Sequence, residues 1–159
     1  MPLHIALYQP EIPPNTGNIQ RLCANIGAQL HLIRPLGFQL SDKKSKRAGM
    51  DYAQKLDMQI HDSYQHFSNA FTSQYNQRRI FALTTRGSTT HVEPTFANND
   101  VFLFGPETRG LPEEVLTEIP MANWLRLPMQ PDSRSLNLSN AAAVMAYEAW
   151  RQLDFSSKL

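Results

Sequence analysis

The feature that most constrains this chain is a set of short apolar runs that do not alternate. Ile80-Phe81-Ala82-Leu83, inside a stretch from Arg79 to Thr84, and Val101-Phe102-Leu103-Phe104 are apolar at every position. A strand with one wet face alternates apolar and polar residues. An unbroken run therefore predicts burial on both faces, the situation of a strand inside a parallel sheet. Leu3 to Tyr8, Leu30 to Ile33, Asp57 to His61 and Trp124 to Leu127 read as further strands. Parallel strands need helical crossovers, and the chain supplies candidates between them.

The first helix is expected from about Thr16 to Ile26, because Ile19, Leu22, Cys23 and Ile26 fall at i, i+3, i+4 and i+7. Asn15 or Thr16 can cap it, and Gly27 suits its end. Gln9-Pro10-Glu11-Ile12-Pro13-Pro14 is expected to leave regular structure, since prolines cannot serve a central strand. Ser63 to Ser73 reads as a helix with Phe67, Ala70 and Phe71 inward. Pro112 suits the first turn of another, with Glu113 and Glu114 favourable at its positive end. Leu138 to Leu153 is the last helix, apolar nearly all round from Ala141 to Tyr147. Ser41 to Gly49 is polar and basic, an exposed short helix or loop. The expectation is an α/β fold, a mainly parallel sheet flanked by helices, in a single domain over residues 1–159.

With 42% hydrophobic residues, the 159-residue chain can bury one core, and a net charge of +1 identifies no partner class. The one cysteine, Cys23, allows no internal disulfide and sits on an apolar helix face, which favours packing over reactivity. Met1-Pro2-Leu3-His4 lacks the basic start of a signal peptide, and no run approaches the ~20 apolar residues of a membrane span. A soluble cytoplasmic protein is expected. The five histidines, His4, His31, His61, His66 and His91, have no metal-ligand spacing with cysteine, so no metal is expected.

Three constellations can carry chemistry. In Asn15-Thr16-Gly17-Asn18-Ile19-Gln20-Arg21, residues Asn18, Arg21 and Asn25 form a polar stripe opposite the apolar one. Such a stripe can hold a phosphate or ribose hydroxyl, or be only a solvated helix face. Phe104-Gly105-Pro106-Glu107-Thr108-Arg109-Gly110-Leu111-Pro112 follows a buried strand, where open α/β sheets bind ligands. Gly105 and Gly110 permit close backbone approach or unusual dihedrals, and Glu107 adds a carboxylate; a plain tight turn would use the same glycines. The third is the polar, proline-bounded loop from Leu127 to Ala141, in which Asn137 or Ser139 can cap the last helix.

These segments resemble the three motifs of the SPOUT class of RNA methyltransferases, the trefoil-knotted α/β group. "EIPPNTGNIQRLCANIGAQLHLIRPLGF", "LFGPETRGLP" and "PMQPDSRSLNLSNAAAVMAYEAW" occur in the same order, and the likeness spans almost the whole chain. The resemblance implies a C-terminal trefoil knot and S-adenosylmethionine as methyl donor. It also implies a homodimer with the active site at the subunit interface. By position it assigns cofactor contacts to Leu83, Gly105, Leu127 and Ser135. The absence of an added N-terminal RNA-binding domain points to the subgroup acting on tRNA, at the wobble ribose of nucleotide 34 in certain leucine tRNAs. The resemblance proposes Arg21 to activate the 2′-hydroxyl, with Asn15 beside it.

An arginine rarely gives up its proton, so orienting the hydroxyl and stabilising the forming alkoxide is the better role for Arg21. Glu107 is a candidate proton acceptor or orienter, and Ser139 and Asn140 can hold the ribose or fix the loop. Arg34, Lys43, Lys44, Lys46 and Arg47 surround a single acid, Asp42, in sequence, a candidate RNA-phosphate footprint or a solvated basic loop. Three alternatives stay open: another RNA substrate such as ribosomal RNA, a non-catalytic binding protein of the same fold, and a small hydrolase using Ser135 or Ser139.

Overall fold

The computed structural model describes residues 3–40, 58–74 and 79–156. Its frame is a seven-stranded sheet comprising β1 His4–Tyr8, β2 Gln29–Ile33, β3 Met58–His61, β4 Ile80–Leu83, β5 Thr89–Thr90, β6 Val101–Phe104 and β7 Trp124–Arg126. The spatial order is β3-β2-β1-β6-β4-β7-β5, and every pairing is parallel. The apolar runs fill its centre: β1, β6 and β4 lie side by side in register, Leu7 beside Phe104 and Phe104 beside Leu83. The two-residue β5 escapes sequence analysis because a pair of threonines carries no period.

Alternation then sorts the side chains onto two faces. Ile5, Leu7, Leu30, Leu32 and Phe102 meet helix α1 (Pro13–Ile26) and helix α4 (Leu138–Gln152) on one side. Ala6, Tyr8, Ile33 and Leu103 meet helix α2 (Tyr64–Gln74) and the single-turn helix α3 (Glu113–Leu116) on the other. Phe67 and Phe71 are buried as expected, whereas Ala70 is only half-buried. On α4, Val144 and Tyr147 are 44% and 47% exposed, so part of its apolar surface is left uncovered among the described residues.

The start of α1 corrects the sequence expectation. It begins at Pro13, not Thr16, with prolines in its first turn and Ile12 as N-cap; neither Asn15 nor Thr16 caps it. A helix's first N–H groups have no partner within the helix, so prolines, which lack the N–H, lose nothing there. The stretch from Pro10 to Pro14 thus ends in helix rather than staying irregular. Pro112 stands at the N-cap of α3 rather than within its first turn. Gly27 ends α1 with φ at +69°, as its position predicts. The basic segment with Lys43, Lys44, Lys46 and Arg47 lies outside the described residues, as does Asp57.

Three histidines that the sequence leaves unconnected form a ladder across β1, β2 and β3. His4 Nδ1 lies 2.9 Å from His31 Nε2, and His31 Nδ1 lies 3.0 Å from His61 Nε2. One proton serves each junction. The rings pack on Phe67 and Phe71 of α2. Burial, followed by the neighbouring His4 and His61, lowers the His31 pKa to about 3. The unfolded chain binds that proton near 6.5. The ladder's stability is therefore complete above about pH 6.5 and declines as pH falls towards about 3. In urea titrations, the wild type should lose up to about 1.4 kcal/mol per pH unit from His31 in this window. His31→Leu should be weaker at pH 7.5 but lose distinctly less between pH 6.5 and 4.5. Equal losses in both proteins would refute the assignment.

Candidate active site

A cleft of about 470 Å³ opens beyond the carboxyl ends of β4, β6 and β7. Residues 83–86, 104–111 and 125–127 follow those strands into it, and residues 135–138 with Ala141 close it from the start of α4. That size suits a small-molecule site, and its position is where parallel α/β sheets bind ligands. Leu83, Leu125, Leu127, Leu138 and Ala141 give an apolar wall suited to a flat base. Asn15, Thr84, Ser135 and Asn137 give polar atoms for a hydrophilic tail. All four positions assigned to the cofactor by resemblance, Leu83, Gly105, Leu127 and Ser135, line this one cleft.

The turn after β6 is built on its glycines. A Cβ on Gly105 would lie 2.3 Å from the Gly110 carbonyl carbon and 2.3 Å from the Leu111 nitrogen. The backbone that approaches Gly105 so closely belongs to the same turn. Gly110, with φ at +68°, reverses the chain, and its N–H donates to the Pro106 carbonyl at 3.0 Å. The glycines therefore shape the cleft wall before any ligand arrives.

Glu107 joins the three motif segments. Its carboxylate accepts from the backbone N–H of Glu11 at 2.8 Å and of Ile12 at 3.0 Å, and from Asn15 Nδ2 at 3.3 Å. The anion thus sits at the positive end of α1, where the prolines leave few other donors. Asn15 is buried, and its Oδ1 accepts from Asn137 Nδ2 at 3.0 Å. Asn137 Oδ1 in turn caps α4 by accepting from the Ser139 N–H at 2.9 Å and the Asn140 N–H at 3.3 Å. The same oxygen accepts from Ser139 Oγ at 2.7 Å. Ser139 spends its proton there, and no histidine lines the cleft to activate it.

The structure does not bring every expected residue to this cleft. Arg21 is exposed on α1, in a stripe with Asn18 and Asn25 as the periodicity predicts, but it is not part of the cleft wall of its own chain. Cys23 is buried, and desolvation pushes its thiol up to about 12, which leaves it no nucleophilic role near neutral pH. The rim also carries arginines that sequence analysis did not single out. Arg86 pairs with Glu113 and lies over the Trp124 ring at 5.3 Å, while Arg109 donates to Gln9 Oε1 at 3.1 Å. The only sequence signal for these was their position just after buried strands.

The comparisons agree with this geometry. The model of the SpoU rRNA Methylase family matches residues 2–147. A tRNA (cytidine(34)-2′-O)-methyltransferase from Methylovorus glucosotrophus is 58% identical over 152 residues, 96% of each chain. A solved structure described as giving insights into the 2-OH methylation of C/U34 on tRNA is 51% identical, with a TM-score of 0.87 and 96% of each chain covered. AviRb from Streptomyces viridochromogenes, in complex with AdoMet, shares the fold at 24% identity and a TM-score of 0.85, over 96% of this chain and 58% of its own. With its parallel sheet, its strand-end cleft and the family match over nearly its whole length, this chain belongs to the SpoU rRNA methylase family.

Proposed function

We propose that this chain transfers a methyl group from S-adenosylmethionine to the ribose 2′-hydroxyl of the wobble nucleotide, cytidine or modified uridine 34, in tRNA, with leucine tRNAs as the substrates. The meeting of all three motif segments at one strand-end cleft carries this assignment. The names of relatives that match this chain over 96% of its length support the wobble ribose as the acceptor. The enzyme is proposed to be a single cytoplasmic domain acting as a homodimer. Among the described residues no helix is long and apolar enough to cross a membrane.

When bound, S-adenosylmethionine supplies a methyl on a sulfonium, whose transfer to the 2′-oxygen leaves S-adenosylhomocysteine and releases the hydroxyl proton. The apolar wall of Leu83, Leu125 and Leu127 would hold the adenosine moiety and keep water from it. The turn from Gly105 to Gly110 would offer it backbone groups. Asn15, held by Glu107 and Asn137, fixes the start of α1 at the cleft mouth. Glu107 already accepts three hydrogen bonds, which makes it a positioning residue rather than a proton acceptor. Arg21 does not line its own cleft, and the exposed Val144 and Tyr147 of α4 offer apolar surface to a second copy. In the proposed dimer Arg21 serves the partner's cleft, orienting the 2′-hydroxyl and stabilising the alkoxide as it forms.

The direct test is incubation of total tRNA and of ribosomal RNA with labelled S-adenosylmethionine, followed by mapping of the methylated nucleoside. Label at nucleotide 34 of tRNA is expected; label confined to ribosomal RNA would overturn the substrate assignment. Gly105→Ala should weaken cofactor binding by more than about tenfold in calorimetry, because even a Cβ forces the turn to move. Unchanged affinity would remove Gly105 from the site. Arg21→Ala should bind cofactor normally and lose activity by about 100-fold or more. Heterodimers of Arg21→Ala with Gly105→Ala contain one doubly defective and one intact site if Arg21 acts across the interface. Mixing should then restore about half the wild-type rate per heterodimer. Inactive heterodimers, with subunit exchange verified, would place Arg21 in its own chain's site.

A further inference from the structure

The contact between the first two motif segments is reciprocal. Glu107 reaches from the turn after β6 to the backbone at the start of α1. Glu11, which no assignment above uses, reaches back the other way. Its carboxylate oxygens lie 2.8 and 2.9 Å from Thr108 Oγ1, whose one proton they share, and Arg109 Nε stands 3.7 Å from Oε1. The backbone of Glu11 is meanwhile held from both sides. Its N–H donates to Glu107 at 2.8 Å, and a Cβ on Gly37 would lie 2.8 Å from its Cα, with the Gly37 N–H donating to the Pro10 carbonyl at 2.9 Å. Each of the two loops thus carries one carboxylate that is bound by the other.

The magnitudes rank the contacts. An exposed ion pair at 3.7 Å contributes little, and the Arg109 side chain is 62% exposed. A hydroxyl donating to a carboxylate at 2.8 Å is a charge-assisted bond of the stronger kind. The side chain of Glu11 is 28% exposed, so water competes for its carboxylate only in part. The hydroxyl of Thr108 is therefore the main tie on this side, with Arg109 as a secondary one.

We propose that Glu11 is a positioning residue of the methyl-transfer site: through Thr108 it locks the cofactor-binding turn at residues 105–110 to the start of α1. Cofactor affinity then depends on a side chain that lines no part of the cleft, and cofactor binding in turn stiffens the segment carrying Asn15. The proposal rests on the cofactor assignment made above. Threonine at 108 and glutamate at 11 form one unit, so removing either partner releases the same constraint.

The test is a double-mutant cycle on the full-length protein, read by calorimetric binding of S-adenosylhomocysteine and by amide hydrogen exchange of the ligand-free protein. Glu11→Ala and Thr108→Val should each weaken binding by about tenfold. The double variant should be no weaker than Glu11→Ala alone. Glu11→Gln, which still offers an oxygen to Thr108, should recover most of the loss, an outcome that a general folding defect would not give. In the free protein, exchange at the Ile12 and Gly110 amides should rise in both single variants while amides of β1 and β6 stay protected. Wild-type affinity in Glu11→Ala, or losses that multiply in the double variant, would overturn the proposal. A wild-type protein that fails to bind S-adenosylhomocysteine would refute the cofactor assignment instead, and the exchange data would still decide whether the two loops are locked together.

Discussion

The N-terminus of α1 depends on a carboxylate that the sequence places 96 positions from Glu11. A helix opened by two prolines has few N–H groups of its own to satisfy, and those on Glu11 and Ile12 point at the turn after β6. Glu107 accepts both. Bonds of this kind, from an N–H to a charged acceptor, contribute about 1.5–3 kcal/mol where partly shielded from water. Removal of Glu107 would also leave Asn15, which is buried, without one of its two ties. From Asn15 the chain of bonds passes to Asn137 and so to the cap of α4. One anion therefore sets the relative positions of the strand-end turn and the two helices on one side of the sheet.

The strand ends supply the rest of the cleft by geometry alone. Parallel strands in register bring β4, β6 and β7 to an end together, so the residues that follow them share one rim. The turn after β6 can fold flat against itself because Gly105 has no side chain to prevent it and Gly110 takes the positive φ that reverses the chain. Its shape is thus fixed by backbone contact and stays independent of the apolar contacts a ligand would add. A preformed wall lowers the ordering cost of binding.

The buried polar groups divide by what surrounds them. Asn15 is satisfied within the site network, and Asp100 at the opposite end of the sheet is held by the Ala97 N–H and the Arg79 guanidinium, although burial raises its pKa to about 6. The histidine ladder joins its own members against aromatic rings. The ladder and Asp100 do not line the cleft, so their protonation bears on the stability of the fold more than on its chemistry. The cleft itself is lined by amides, hydroxyls, guanidinium groups and the Glu107 carboxylate. Such a set orients and stabilises charge.

Much of the architecture was legible locally. Unbroken apolar runs marked buried parallel strands, the i, i+3, i+4, i+7 spacing marked the buried face of α1, and Gly27 marked its end. Each of these depends on residues within a few positions of one another, where period and backbone sterics act directly. The cofactor positions came from resemblance, and they lie in one cleft because the strands that carry them end together. The true start of α1 was not legible, because no side chain caps it and the N–H groups just before it are bound by the distant Glu107. The ladder of His4, His31 and His61 was hidden for the same reason, since the three meet only when β1, β2 and β3 pair. That Asn15, Glu107 and Asn137 form a single network, while Arg21 is exposed and does not line its own cleft, was decided by tertiary structure. The sequence determined which groups were present and which local elements they would form. Only the path of the chain through space could decide which distant donor met which acceptor.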